Sequence, residues 1–449
     1  MNIHFIAIGG SIMHSLAIEL QQAGHEVTGS DDKIYDPARS RLQAAGILPP
    51  REGWDADRIH ENLDAVILGM HAFEDNPELI KARSLGIPIY SFPEFIYEQC
   101  RDKHRVVIAG SYGKSTITGM VMHVLEAVGK EFDYLVGASV PGFDNNVRLS
   151  ETAPLIVIEG DEYLASRLVK KPKFLLYQPH MTLFNGISWD HINVFPSYEL
   201  YVQQFEELAN ALDKAADIVY NKEDDEVVRI VKKYVKPSHY LHPFKTPSYK
   251  VKKGRFHLKL EGNWQEVNLI GKHNMSNIAG AWEVCRLLSV EIEDFLKHIA
   301  TFTGVKSRLE TVFESENKVV IKDYAHAPAK VKATVEAVRE RYKDYNLIAC
   351  VELHTFSSLR REFLPLYHNS MEKADHQLVF IHPDSFKARR SAPIGREELA
   401  EDFGTNSLVY AQSKEALLDA IKQAQTGRDV ILMMSSGNFD GLDYQLLTT

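Results

Sequence analysis

The stretch VVIAGSYGKSTITGM at residues 106–120 constrains the fold more than any other part of the sequence. Four apolar residues predict the end of a buried strand, and Lys114-Ser115-Thr116 open a helix with apolar periodicity. Gly110 and Gly113 permit a tight turn between the two elements. Backbone N–H groups in such a turn converge on phosphate, Lys114 can reach the outer phosphates, and Ser115 can offer a hydroxyl to Mg²⁺. The stretch matches a shortened GxxGKS pattern, so it predicts a nucleotide site, with an ordinary strand-to-helix turn as the alternative.

Composition places the chain among globular proteins of several domains. Its 449 residues are 45% hydrophobic and 25% charged, and two to four domains are expected at this length. The net charge of −10 argues against nucleic acid as a partner. Three distant cysteines predict neither a disulfide framework nor a thiolate metal site. We find no signal segment and no apolar run long enough to span a membrane, so we expect a cytoplasmic protein with no membrane partner, either monomer or homodimer.

The first hundred residues alternate between strand and helix patterns. Strands are predicted at 3–10, 25–31, 64–70 and 87–92, and helices at 11–24 and 76–86. This order predicts a Rossmann-like domain at 1–103. Its turn, Gly9-Gly10-Ser11, has Met13 where a dinucleotide fingerprint would have a third glycine. With Asp31 after the second strand, the turn favours a nucleotide diphosphate at the helix tip; the alternative is an empty tip.

Two further α/β units follow the charged break RDKHR at 101–105. The second, at 104–302, carries the GKS turn, strands predicted at 155–163 and 173–186, and a hairpin leading into a helix from Asn274. The third, at 303–449, has strands predicted at 317–326, 346–353, 376–382 and 429–436, and a helix at 327–342. The expected fold is therefore α/β with three domains: a Rossmann-like N-terminal domain, a central P-loop ATPase-type domain and a C-terminal Rossmann-like domain.

Acidic and imidazole groups follow two apolar strands within residues 104–302. Glu159, Asp161 and Glu162 come after one strand, where a P-loop domain holds Mg²⁺. Glu159 is the strongest candidate because it is closest to the strand end; for the other two, a solvated acidic turn is the alternative. Asn185, Asp190 and His191 follow the next strand, where the histidine could bind a second metal, act as a base or serve only as a structural hydrogen bonder.

Polar groups near two later helix starts could bind a nucleotide. Asn274 and Asn277 share one helix face by their i,i+3 spacing and could contact an adenine edge, although one of them could simply be an N-cap. Arg308 could neutralise phosphate or pair with a surface acid. Asp323 and His326 end a strand before a helix opened by proline.

Six of these segments, in this order, identify a family resemblance. The chain resembles the Mur ligases of bacterial cell-wall synthesis over essentially its full length. The segments are AGSYGKST, IEGDEY, NGISWDH, GKHNMSN, GVKSRLE and KDYAHAP. The N-terminal IHFIAIGG…GSD resembles the branch that takes UDP-N-acetylmuramate. The resemblance implies amide-bond synthesis with ATP and Mg²⁺ as cofactors: the muramate carboxylate is phosphorylated by ATP, and an amine then displaces phosphate.

The resemblance also assigns roles to individual residues. The catalytic set is Lys114, Glu159, His191 and Arg308, and the metal ligands are Ser115, Glu159 and His191. ATP is assigned to Gly110, Ser111, Gly113, Lys114, Ser115, Thr116, Asn274, Asn277, Arg308, Asp323 and His326. UDP-N-acetylmuramate is assigned to Gly10, Ser11, Met13, Ser30, Asp31 and His71. Some relatives hold the second metal with a carbamoylated lysine; residues 192–212 contain no lysine, so we expect that feature to be absent.

The acceptor is the remaining question. One activity in this branch adds L-alanine; another recycles the tripeptide L-alanyl-γ-D-glutamyl-meso-diaminopimelate. The alanine-adding relatives carry an arginine a few residues after the acceptor-loop histidine; in ELHTFSSLRREF that place is Ser358, between His354 and Arg360. These three residues are assigned to the acceptor, and we expect the tripeptide. A regulatory protein that binds ATP and a UDP-sugar without catalysis is the alternative from another class.

Overall fold

A computed structural model describes residues 1–70 and 72–448 of the chain. It divides into two compact units. The first consists of Met1–Ile187, Val202–Phe244 and Gly280–Val290, and the second of Ser188–Tyr201, Lys245–Ala279 and Glu291–Thr449. In the part described, no helix combines the length and apolar character needed to cross a bilayer.

The N-terminal region forms a four-stranded parallel sheet in the order β2-β1-β3-β4. The strands are β1 Asn2–Ile6, β2 Glu26–Ser30, β3 Ala65–Leu68 and β4 Ile89–Ser91. The helices are α1 Ser11–Gln22, α2 Ala38–Ala44, α3 Pro77–Ser84 and α4 Phe92–Gln99. Apolar residues that alternate with the strand period, such as Ile6, Val66 and Leu68, pack beneath α3 as one core. The predicted alternation of strand and helix is confirmed.

The middle region forms a seven-stranded sheet in the order β11-β10-β9-β5-β8-β6-β7, in which only the pairing of β7 is antiparallel. Its strands are β5 His104–Ala109, β6 Asp133–Leu135, β7 Val147–Arg148, β8 Leu155–Gly160, β9 Met181–Phe184, β10 Asp217–Asn221 and β11 Tyr240–Phe244. The helices along this stretch are α5 Lys114–Ala127, α6 Lys173–Leu176, α7 Tyr198–Ala211 and α8 Asp225–Tyr234. The turn after β5, the central strand, opens α5.

The strand predicted across 173–186 is wrong in its first half. Residues Lys173–Leu176 form one helical turn that begins after Pro172, and only Met181–Phe184 is strand. Gln178 has a left-handed backbone, with φ at 44°, and Pro179 follows it. The apolar run is therefore interrupted by a backbone reversal that apolar content alone does not reveal.

The second unit contains two sheets. The smaller is an antiparallel meander of β12 Tyr249–Lys252, β13 Arg255–Leu260 and β14 Asn263–Val267. The larger has the order β15-β16-β20-β17-β18-β19 and is parallel except for β15. Its strands are β15 Glu310–Glu314, β16 Lys318–Asp323, β17 Asn346–Glu352, β18 His376–Phe380, β19 Val409–Ala411 and β20 Asp429–Met434. The later helices are α9 Lys272–Leu287, α10 Ile292–Ile299, α11 Pro328–Arg341, α12 Pro383–Arg389, α13 Arg396–Phe403 and α14 Lys414–Ala424.

Strand order determines where ligands can approach. In each mainly parallel sheet, successive strands are added first to one side of a central strand and then to the other. Ligands bind at the carboxyl ends of the strands where this change of side occurs. The turns after β1, β5, β16 and β17 are therefore the regions to examine, and they contain most of the residues singled out from the sequence. The predicted α/β fold class is confirmed, and the exact domain boundaries stay a prediction.

Candidate functional site

The turn between β5 and α5 has the geometry of a phosphate cradle. Gly113 precedes the first helical residue with φ at 78°, a left-handed conformation that disfavours any side chain. The N–H of Ser111 donates to the carbonyl of Gly186 at 2.8 Å, which ties the turn to the segment after β9. Ser115 and Thr116 lie buried in the first turn of α5. The helix N-terminus and its free N–H groups therefore face the space above the sheet edge, as an anion requires.

Lys114 is held in this cradle by a buried carboxylate. Its Nζ lies 2.6 Å from Oε2 of Glu162 and donates to the carbonyl of Gly110 at 2.7 Å. Burial lowers the pKa of Lys114, but Glu162, with Asp161 and Glu159, raises it above its usual range. The amine is therefore fully charged. The solvated-turn alternative is wrong for Glu162, which is completely buried.

Ser115 and Glu159 form a pair of oxygen donors next to Lys114. The Ser115 hydroxyl donates to Oε1 of Glu159 at 2.9 Å, and the N–H of Gly137 donates to Oε2 at 2.6 Å. A Cβ on Gly137 would lie 3.0 Å from Oε1, so any larger residue would push the Glu159 carboxylate out of this position. A hydroxyl and one carboxylate, completed by phosphates and water, suit Mg²⁺. Within 1–70 and 72–448 no cluster of three or more acidic, histidine or cysteine side chains offers an all-protein metal cage.

Two residues far along the chain brace the cradle. Asn185 donates from Nδ2 to the carbonyl of Tyr112 at 3.0 Å. Oδ2 of Asp224 accepts from the Tyr112 hydroxyl and from the N–H of Ile187, both at 3.1 Å. Asn185 was among the sequence candidates, but Asp224 was missed. Its only sequence signal is its N-cap position before α8, which says nothing about the loop it supports.

The glycine turn after β1 is closed by an aspartate. The N–H of Gly9 donates to Oδ2 of Asp31 at 2.7 Å, and Asp31 is buried. Ser30 is fully buried, and its hydroxyl donates to Glu78. Gly10, Ser11 and Met13 occupy the start of α1. His71 lies outside the described residues. The roles assigned to these residues in binding a UDP-sugar stay predictions.

Arg41 joins the start of α1 to a loop of the middle region. Its Nη1 lies 3.0 Å from Nε2 of His14, and its Nη2 donates to Oδ1 of Asn145 at 2.8 Å. Asn145 in turn donates to the carbonyl of Ser15 at 2.9 Å. This contact could not be anticipated from the sequence, because Arg41 and Asn145 lie 104 positions apart.

In the second unit, the buried Asp190 forms an ion pair with the partly exposed Lys330. Nζ of Lys330 lies 2.9 Å from Oδ2 of Asp190, while Oδ1 accepts the N–H of His191 at 2.8 Å. Burial raises the pKa of Asp190, but Lys330, aided by His191 and His326, lowers it far below its usual range. The Asp190 carboxylate, next to His191 in the chain, is therefore ionised and paired with the Lys330 amine. Lys330 was missed, since one lysine on an amphipathic helix carries no distinguishing pattern.

His326 lies near this pair at the end of β16. Burial, reinforced by Lys330, lowers its pKa to about 4, and its Nδ1 donates to the carbonyl of Tyr324 at 2.8 Å. Arg308 lies over the Tyr324 ring at 4.2 Å. Asp323 accepts the N–H groups of Leu309 and Ala325, both at 2.7 Å. Burial raises its pKa above the usual range, although Arg308 acts in the opposite direction.

The two asparagines of α9 contact each other. Nδ2 of Asn277 donates to Oδ1 of Asn274 at 3.2 Å, and Nδ2 of Asn274 donates to the carbonyl of Ile270 at 2.9 Å. The shared helix face expected from their spacing is confirmed. Their proposed contact with adenine stays a prediction.

The acceptor-loop residues have three different environments. His354 places Nε2 3.3 Å from the Ser436 hydroxyl, and burial lowers its pKa. Ser358 is 1% exposed and its hydroxyl lies 2.8 Å from that of Thr355, which closes a turn. Arg360 lies over the Phe356 ring at 4.4 Å. Of the three residues, Ser358 faces away from solvent.

Comparison with known families gives three adjoining matches. Residues 2–104 match the catalytic domain of the Mur ligase family, residues 108–285 the Mur ligase middle domain, and residues 307–437 the Mur ligase glutamate ligase domain. Together the matches extend over most of the chain.

Similar proteins span the same length. A UDP-N-acetylmuramate–L-alanine ligase from Sulfurihydrogenibium sp. strain YO3AOP1 is 30% identical, with 98% of this chain and 96% of that protein covered. A UDP-N-acetylmuramate–L-alanyl-γ-D-glutamyl-meso-2,6-diaminoheptandioate ligase from Escherichia coli K12 is 27% identical, with 100% and 98% covered.

Solved structures share the fold. A UDP-N-acetylmuramate–alanine ligase from Thermotoga maritima matches with a TM-score of 0.73 at 20% identity, covering 100% of this chain and 98% of that one. A murein peptide ligase from Psychrobacter arcticus matches with a TM-score of 0.69 at 22% identity and the same coverage.

The chain belongs to the Mur ligase family. It is accordingly an ATP-dependent, ADP-forming ligase that makes a carbon–nitrogen bond in peptidoglycan synthesis. The family assignment decides against the regulatory, non-catalytic alternative.

Proposed function

We propose that this chain joins UDP-N-acetylmuramate to the tripeptide L-alanyl-γ-D-glutamyl-meso-diaminopimelate, as peptidoglycan recycling requires. The observation that carries the proposal is the inward position of Ser358, which is 1% exposed and bonded to Thr355. The acceptor loop thus presents no cation at the place where alanine-adding relatives carry an arginine. Similarity over the full chain to the Escherichia coli ligase named for this tripeptide supports the same acceptor.

The proposed reaction has two steps. A lactyl carboxylate oxygen of UDP-N-acetylmuramate attacks the γ-phosphorus of ATP, ADP leaves, and an acyl phosphate forms. The amine of the tripeptide then attacks the acyl carbon, and the tetrahedral intermediate expels inorganic phosphate as the nitrogen loses a proton. Both steps depend on positioning and on neutralising phosphate charge.

Residues of the cradle neutralise the charge of the ATP phosphates. Lys114, already charged and held by Glu162, neutralises the β- and γ-phosphates. Ser115 and Glu159 are the residues that would hold Mg²⁺. When bound, the ion would neutralise negative charge on the phosphate oxygens, so that the carboxylate is repelled less. A second metal is assigned to His191.

The remaining assignments concern substrate binding. In the second unit, Arg308, Asp323 and His326 are assigned to phosphate and ribose, and Asn274 with Asn277 to adenine. The turn after β1 is assigned to UDP-N-acetylmuramate, through Gly10, Ser11, Met13, Ser30, Asp31 and His71.

An acceptor panel tests the proposal. Purified protein is incubated with UDP-N-acetylmuramate, Mg·ATP and either L-alanine or the tripeptide, and products are identified by mass spectrometry. We expect ADP and a UDP-muramoyl-tripeptide only with the tripeptide. L-alanine is the second candidate, since the relative at 30% identity is named for it; robust turnover with alanine alone would reverse the assignment.

A further inference from the structure

The acceptor region contains several arginines, and their contacts distinguish them. Arg360 packs over the Phe356 ring. Nε of Arg361 lies 2.6 Å from Oε1 of Glu398, and its Nη2 donates to the carbonyl of Pro393 at 2.9 Å. The Arg361 guanidinium is therefore already engaged in an ion pair and a hydrogen bond, whereas that of Arg360 is stacked on an aromatic ring.

Arg389 reaches the same region from another strand. It is the last residue of α12, which follows β18, and β18 pairs in parallel with β17, the strand that leads into the acceptor loop. The carboxyl ends of these neighbouring strands lie at one sheet edge. Nε of Arg389 donates to the carbonyl oxygen of His354 at 3.2 Å. This contact fixes the guanidinium beside the acceptor-loop histidine.

The free part of Arg389 suits a carboxylate. One of its three nitrogens is used by His354, and among the described residues Nη1 and Nη2 have no hydrogen-bond partner. Two parallel N–H donors in this arrangement match the two oxygens of a carboxylate.

His354 has unused capacity in the same place. Its Nδ1 is buried and has no hydrogen-bond partner in the described part of the chain; the nearest carboxylate oxygen, Oε2 of Glu352, is 3.8 Å away. An imidazole nitrogen and a guanidinium fork thus lie together at the carboxyl edge of the sheet. A buried polar atom without a partner calls for an explanation, and a bound ligand is one.

We infer that Arg389 binds a carboxylate of the acceptor and thereby selects acidic amines or peptides over their neutral counterparts. The inference rests on the proposed function and names the residue that recognises the acceptor's charge. Arg389 takes over the part that an arginine at position 358 would play.

The test pairs a change in the enzyme with a change in the substrate. KM and kcat are measured with the tripeptide and with its analogue in which every carboxylate is a primary amide. We expect Arg389→Met to raise KM for the tripeptide on the order of 10- to 100-fold, leave the KM values for ATP and UDP-N-acetylmuramate unchanged, and abolish discrimination between acid and amide. Arg389→Lys should restore part of the discrimination.

Arg390→Met is the matched control, since Arg390 is the adjacent exposed arginine and the structure gives it no contact with His354. We expect it to discriminate as the wild type does. If Arg389→Met retains the wild-type preference for the acid, the inference is wrong while the proposed function stands. If the wild type ligates neither the tripeptide nor alanine, the proposed function itself is wrong, and the inference with it.

Discussion

The loops after β5 and after β17 make an instructive comparison. Each follows a fully buried central strand of a parallel sheet. The first loop is shaped mainly by its backbone, through a left-handed Gly113 and the start of a helix. The second is shaped by side chains, through the hydroxyl pair of Thr355 and Ser358. The loop proposed to bind phosphate and the loop proposed to bind the acceptor thus rest on different kinds of structure.

The difference has a physical reason. Every nucleotide offers the same phosphates, so a fixed arrangement of N–H groups serves them all. Acceptors differ in size and charge, so the groups that meet them must vary between proteins. We therefore expect the largest mutational effects at the cradle and the most selective ones at the acceptor loop.

The strongest test of the cradle is Lys114→Ala. Without the amine, charge on the transferring phosphate is not neutralised, and kcat should fall by at least about 10³-fold. Buried Glu162 would also lose its partner, at a cost of about 3–5 kcal/mol in the free energy of unfolding. Phosphate release and thermal unfolding measure the two effects.

The double variant Lys114→Ala/Glu162→Gln separates these effects. It replaces the buried carboxylate that has lost its ion pair with Lys114 by a neutral amide, so stability should recover while activity stays lost. Near-normal turnover in either folded variant would sink the assignment of the cradle.

Glu159→Gln tests the metal part of the cradle. A neutral amide is a weaker ligand than a carboxylate, so the Mg²⁺ concentration for half-maximal ADP formation should rise by about 10²-fold. Glu126→Gln, an exposed glutamate that pairs with Arg148, should leave that concentration unchanged. Equal Mg²⁺ dependence in both variants would remove Glu159 from the site.

Lys330→Met probes the second unit. It leaves Asp190 buried without its amine, and the backbone at His191, which Asp190 holds, should shift. We expect about a tenfold loss in kcat. Lys332→Met, at an exposed lysine on the same helix, is the control. If kcat falls equally in both variants, the effect comes from the total charge of α11 and not from the ion pair between Lys330 and Asp190.

Ser358→Ala should have the smallest effect and decides the role of Ser358. Because the hydroxyl closes a turn, its removal should lower the free energy of unfolding by about 1 kcal/mol and leave the acceptor KM unchanged. Urea denaturation and steady-state kinetics are the measurements. A tenfold rise in acceptor KM would instead make Ser358 a binding residue.

The features that could be predicted from the sequence are local ones, and the features that were missed depend on contacts between distant residues. The GKS turn is local, so its residues could be recognised from their spacing, and the three-domain α/β fold followed from the order of strand and helix patterns. The family resemblance then assigned Ser115 and Glu159 to one metal ion. The one-turn helix at Lys173–Leu176 was missed because a short apolar run fits a buried strand equally well.

The missed site residues are those whose partners are far along the chain. Lys330 and Asp190 are 140 positions apart, and Asp224 lies 112 positions from Tyr112. Neither residue stands out in its own helix, and the fold alone brings the partners together. Arg389 is similar, since its importance depends on the pairing of β18 with β17.

The contacts of Arg41 have a practical consequence for dividing this protein into fragments. Asn145 bonds to both Arg41 and Ser15, and it lies in the segment between Gly137, which contacts Glu159, and β7. Removing residues 1–103 would strip one wall from that segment. An isolated ATPase fragment would consequently be a poor vehicle for inhibitor screening, since the edge proposed to bind magnesium would lack the neighbour against which it is packed.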